Sequence, residues 1–365
     1  MSVPDSPSDP LKKLLSDIGI TILAFALSWL LIYDITQISY FAPLEKASDF
    51  ETTDFYQIVD DRRSVRPYSD DIVVVGIDDL SRDEIADAIY MISLCSPAAV
   101  GIDILFGYQQ PDDQKLVEAI SALPNAVVPD TSSYIYSSCP GLHQGSILLE
   151  APSHRHTIRH CKKEGTFAGE LVALYNPHLN VPENMLIEYS ACEFDVIHAS
   201  EIPDATDIID GRIVLVGAVR DISDLHPTPV HDALPGIMIH AASIATMLNE
   251  NRITTIPEWL DWTLAIILCF AFIATARSLK ERDWADCLMR IVQIALLLII
   301  IVIGCWCYSR YRLNINFTRP LIMLATAAVA VDLWEGGIAL KKLPAKIKSW
   351  FGKKKTSENH QQETQ

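Results

Sequence analysis

Long apolar stretches at about 14–33, 259–276, 288–307 and 317–334 divide this chain, each near the ~20 apolar residues that cross a bilayer. Between the first and second, the pattern shortens to continuous apolar runs of strand length. These are Asp71-Ile-Val-Val-Val-Gly76-Ile-Asp78-Asp79, Ala98-Ala-Val-Gly101-Ile-Asp103-Ile-Leu-Phe106, Asn125-Ala-Val-Val128 and Ile213-Val-Leu-Val-Gly217. Such runs, bounded by polar residues, predict strands buried on both faces. Ser81-Arg-Asp-Glu84 is a capping box that starts a helix to about Leu94, and Pro111-Asp-Asp113 opens another to about Leu123. Strands alternating with helices predict parallel crossovers, so the expected fold is a three-layer α/β domain with a mainly parallel sheet, joined to four transmembrane helices.

The middle is less regular, with expected strands at 145–149 and 188–197 and a helix at 165–174. The connector 41–70 reads as polar with at most one helix and no recognisable site, and 1–11 as a loose tail. The stretch 211–248 organises the rest: a buried strand, a loop bent by Pro227, Pro229 and Pro235, and a helix over 237–249. That is how a ligand crevice is built at the carboxyl edge of a parallel sheet.

Half of the 365 residues are hydrophobic and mean hydropathy is positive, which excludes an ordinary soluble enzyme. A formal charge of −17, with acidic residues dominating 44–251, argues against nucleic acid as a partner. Positive charge near span ends sets orientation. Lys12, Lys13, Arg277, Lys280, Arg282, Arg290 and the lysines of 341–355 place both termini and the middle loop in the cytoplasm; Arg310 and Arg312 dissent. The organisation is therefore a cytoplasmic tail 1–12, spans 13–36, 257–277, 287–308 and 316–336, an extracytoplasmic domain 37–256 and a basic cytoplasmic tail 337–365. No small-x-small cleavage site follows the first span, so it reads as an uncleaved anchor. The tail from Leu343 to Lys355 mixes aromatics with lysines, suited either to lying on anionic lipid or to anchoring topology.

Asp78, Asp79, Asp103 and Asp221 or Asp224 all follow apolar strands, so parallel pairing gathers them at one sheet edge. Two roles compete there: binding a hard cation or an amine, and capping helix amino termini. His226, His231 and His240, with Asp224 and Asp232, form a histidine set without a defined zinc spacing. His154, His156 and His160 beside Cys161 form a denser one. Whether either set binds metal stays open at this stage. The outer-domain cysteines Cys95, Cys139, Cys161 and Cys192 allow three complete pairings; Cys139 with Cys161 is the disulfide candidate, and Cys95 reads as buried and reduced. No nucleophile elbow, phosphate loop or dinucleotide fingerprint occurs. Neither catalytic residues nor a cofactor are expected.

Taken together, Gly76-Ile-Asp78-Asp79, Gly101-Ile-Asp103-Ile-Leu-Phe106, Gly211-Arg-Ile-Val-Leu-Val-Gly217-Ala, Asp224 with Thr228-Pro229, and Pro235-Gly236-Ile-Met-Ile-His240-Ala resemble the CHASE-2 domain. The resemblance covers most of 40–340. It implies an extracytoplasmic sensory domain between one amino-terminal helix and three carboxy-terminal ones, in a bacterial inner membrane. Asp78, Asp79, Asp103, Asp221, Asp224, His226, Thr228 and His240 are the ligand-binding candidates. The expected partners are the bilayer, a small ligand or a periplasmic protein, and a separate cytoplasmic signalling protein, because no output domain follows the basic tail. Homo-oligomerisation is left open, and a structural or assembly protein docking a periplasmic partner is the alternative function.

Overall fold

A computed structural model describes residues 10–34, 49–63, 65–111, 113–123, 125–149, 151, 156–279 and 285–337. Residues 1–9 of the expected tail at 1–12, residues 338–365 of that at 337–365, and His154 lie outside the described residues. The chain forms two compact units. One is 49–255 together with 304–315; the other holds the remaining residues, in three segments.

The first unit carries six main strands: β1 (Tyr68–Gly76), β2 (Ala99–Asp103), β3 (Ala126–Pro129), β4 (His143–Gly145), β5 (Glu193–His198) and β6 (Ile213–Gly217). They form one parallel sheet in the order β4-β3-β2-β6-β1-β5. Its longer helices are α1 (Thr52–Arg63), α2 (Arg82–Leu94), α3 (Asp113–Ser121), α4 (Phe167–Tyr175) and α5 (Gly236–Leu248). The α/β expectation holds, and so does the capping box, since Ser81 and Glu84 exchange hydrogen bonds at the start of α2.

Side chains alternate along each strand, so each face of the sheet has its own core. Val75, Val100, Ile102, Val214 and Val216 pack under α2 and α3. Ile72, Val74, Ala99, Ile213 and Leu215 pack under α4 and α5. This buried sheet separates two cysteines expected to pair. Cys139 sits in the α2/α3 core, with its thiol on the Ile135 carbonyl at 3.3 Å, while Cys161 packs against the opposite core. Both are free thiols, so the Cys139–Cys161 disulfide is not formed. Cys95 is buried and unpaired as expected.

Some boundaries differ from the sequence reading. The strand expected at 145–149 is His143–Gly145, and that expected at 188–197 begins only at Glu193. An antiparallel ribbon, His160–Lys162 with Asn184–Leu186, lay outside the expectations. Its strands are three residues each, too short to show a period.

The second unit contains the candidate membrane spans Pro10–Ile32, Glu258–Leu279 and Thr318–Gly337 and most of Cys287–Tyr311, long and apolar enough to cross a bilayer. Charged residues here pair with one another. Buried Asp17 accepts from Arg277, and Arg319 reaches Glu258 at 2.9 Å while lying 5.2 Å from the Trp262 ring centroid. Gln293 donates to the Leu324 carbonyl at 2.7 Å.

Candidate functional site

Parallel register places the ends of β1, β2 and β6 side by side: Gly76 lies opposite Gly217, and Gly217 opposite Asp103. The chain leaving β1 and β2 turns into helices on one face, whereas the chain leaving β6 reaches α5 on the other. Loops that diverge in this way open a crevice at the strand ends. The expected gathering of carboxylates at one edge is therefore present, and the hydrogen bonds show what each one does.

Asp78 accepts from the backbone amides of Val219 at 3.0 Å and Arg220 at 2.8 Å, tying the loop after β1 to the loop after β6. Asp221 accepts from the Ser223 amide and hydroxyl, and these bonds hold its carboxyl below the usual range. Asp224 accepts from the Gly236 amide at 3.2 Å, the first residue of α5, and contacts His226 Nε2 at 3.0 Å. A Cβ on Gly236 would meet Asp224 Oδ2 at 2.5 Å, so a larger residue there would push the carboxylate aside. Asp79 adopts a left-handed φ of 64° where the chain turns toward α2. Thr228 closes its own turn, accepting from the His231 amide at 3.0 Å. Most of these residues thus shape loops, as the capping role requires.

Asp103 is different. No described donor bonds it, and burial, with the charge of Asp224 as the second cause, pushes its carboxyl up to about 7. His240 is also different. It is buried on α5 with its ring 5.2 Å from that of Phe167, and burial pulls it down to about 4.

Two cavities flank α5. One, of about 220 Å³, is walled by His240 and Ser243 of α5, Ala168 of α4, Ser146, and the ribbon residues Cys161 and Asn184. The other, of about 280 Å³, is walled by Met238 and Ala242 with Arg66, Tyr189 and His231. Residues 238 and 242 point away from 240 and 243 on a helix, so the cavities lie on opposite flanks. Of the eight ligand-binding candidates, only His240 faces either cavity. His160 and Cys161, from the dense histidine set, line the first one. Among the described residues no group of three or more His, Cys, Asp or Glu is placed to hold a metal ion.

Sequence reasoning missed two arginine ties to buried carboxylates. Arg159 is 3% exposed; it bonds Asp54 Oδ1 at 2.7 Å and Asp49 Oδ1 at 3.0 Å, so the connector read as carrying no site holds both of its acidic partners. Arg312 pairs with buried Glu188 and donates to the Asn251 carbonyl at 3.1 Å, with a left-handed φ of 54°. Beside it, Thr254 and Thr255 pair in parallel with Leu313 and Asn314, and Thr53 donates to Asn314 Oδ1 at 3.1 Å. Arg312, a dissenting charge in the topology count, is thus matched by a carboxylate. The pairs are separated by more than a hundred residues, and no local pattern carries that information.

The CHASE2 domain family matches residues 24–276, more than half of the chain. No curated protein and no solved structure matches it.

Proposed function

Because the chain belongs to the CHASE2 family, an extracellular sensory domain family, we propose that it is a membrane-anchored extracytoplasmic sensor signalling through a separate protein. In this reading it is not an enzyme, the four spans lie in a bacterial inner membrane, and both termini are cytoplasmic. The ligand chamber is the cavity beside His240 and Ser243. One observation carries this choice: the chamber wall is α5 itself, the helix whose chain continues through Thr254–Thr255 to the span beginning at Glu258. A ligand shifts a conformational equilibrium only by binding two states differently, and cavities on both flanks give α5 room for a second packing. The strand-end aspartates hold the amino end of the helix and its loops.

Crosslinking the intact protein in mild detergent, followed by mass spectrometry of its partners, tests the proposal. A cytoplasmic kinase, cyclase or regulator is the expected catch. Recovery of periplasmic assembly factors alone would favour a docking module. A specific observation supports that second reading: after β2 and β6, Tyr108 and Ile222 are 70% and 86% exposed, apolar surface at the same edge as the aspartates.

A further inference from the structure

The chamber beside α5 differs from the strand-end crevice in charge. Its enclosed wall consists of Ala168, Ile187, His240, Ser243 and Cys161, and none of these carries a charge. Burial keeps His240 neutral, at about 4, and keeps the Cys161 thiol protonated, up to about 12. The described charged residues on the lining are Lys162 and Glu164, of opposite sign, with His160 beside them; all three are exposed at the mouth. Asp103 and Asp224 are not part of the wall. A free carboxylate or ammonium would lose its hydration against a wall offering no counter-charge.

The wall does offer hydrogen bonds. Ser146 accepts from the Leu148 amide at 3.4 Å and keeps its own hydroxyl proton to donate. Ser243 donates to the Ile239 carbonyl at 2.8 Å and keeps acceptor lone pairs. The Asn184 carboxamide is unpaired among the described residues. Thr166 has its proton on the Lys162 carbonyl and one lone pair on the Gly169 amide, which leaves one lone pair to accept. At about 220 Å³ the chamber exceeds the ~150 Å³ of an apolar cavity that holds benzene.

We propose that this chamber takes a small uncharged molecule joining a hydrocarbon part to amide-like or alcohol-like hydrogen-bonding groups, and discriminates against free acids and amines. This rests on the chamber reading above and adds the ligand class.

The test is isothermal titration of the full detergent-solubilised chain with matched probes, each an amide, a carboxylate and an ammonium on phenyl, cyclohexyl and butyl groups. At least one amide is expected to bind ten-fold or more tightly than both of its charged counterparts. Ser243→Leu, which fills the wall, should weaken that amide at least ten-fold. Asn184→Ala, at the exposed mouth, should weaken it about three-fold without burdening the fold. A carboxylate or ammonium binding as tightly as its amide overturns the ligand class and leaves the chamber in place. No binding by any probe, or binding indifferent to both substitutions, overturns the chamber as well.

Discussion

The strand-end loops and the arginine-tied flank of the α/β unit both use carboxylates, but in opposite ways. At the strand ends, Asp78, Asp221 and Asp224 accept from backbone amides, and Asp221 and Asp224 remain partly in water. Across the flank, Asp49, Asp54 and Glu188 are buried and neutralised by Arg159 and Arg312 from distant parts of the chain. The first arrangement sets local shape. The second joins segments, and removing one partner of a buried pair leaves the other charge stranded.

That contrast gives a graded set of outcomes, read by pulse proteolysis of the solubilised protein in urea. Arg159→Met should cause the largest loss, about 3–5 kcal/mol, because two buried carboxylates lose their cation. Arg312→Ala follows at about 2 kcal/mol, since this arginine is 20% exposed and water partly replaces it. Asp224→Ala should cost about 1 kcal/mol as a lost cap on α5, and Asp224→Asn, which keeps the acceptor, much less. If Asp224→Ala proves as damaging as Arg159→Met, the division between shaping and joining residues is wrong.

Two titrating groups sharpen the comparison through pH. Asp103 has a raised folded pKa of about 7, so its stability contribution is full below about 4 and is lost as pH rises through 7. His240 has a folded pKa lowered from 6.5 to about 4, so its neutral burial is favourable above 6.5 and the stability is lost as pH falls through 4. The two slopes oppose each other between pH 4 and 7. Asp103→Asn should therefore make stability rise more steeply with pH across that window, and His240→Gln should make it fall. Parallel responses from the two variants would show that the groups do not titrate as their surroundings require. The smallest expected effect is that of Asp221→Ala: its side chain is exposed on a short turn, and urea midpoints should match the unaltered protein.

Much of the fold is legible in the sequence because its signals are local. The run Ile213-Val-Leu-Val-Gly217 is a buried strand, Ser81 with Glu84 is a helix start, and the four spans follow from length and hydropathy. The gathering of Asp78, Asp103 and Asp224 also follows, once parallel pairing is accepted. What the side chains do there is less legible. Asp103 differs from its neighbours only in burial and in what donors reach it, and His240 faces a chamber completed by Cys161 and Asn184 from a ribbon too short to show a period. The disulfide expectation failed for a related reason. Cys139 and Cys161 look alike in sequence, and only the layered fold puts a six-stranded sheet between them.

The unit that holds the parallel sheet is not contiguous in sequence, since 304–315 belong to it. Anyone excising this unit at Asp49 and Thr255 would remove Arg312 from Glu188, the strand partners of Thr254 and Thr255, and Tyr308, whose ring lies 5.9 Å from that of Tyr56. Such a fragment would expose a raw apolar seam and an orphaned carboxylate, and would tend to aggregate. Grafting the twelve residues 304–315 back through a glycine-serine linker would supply the missing piece.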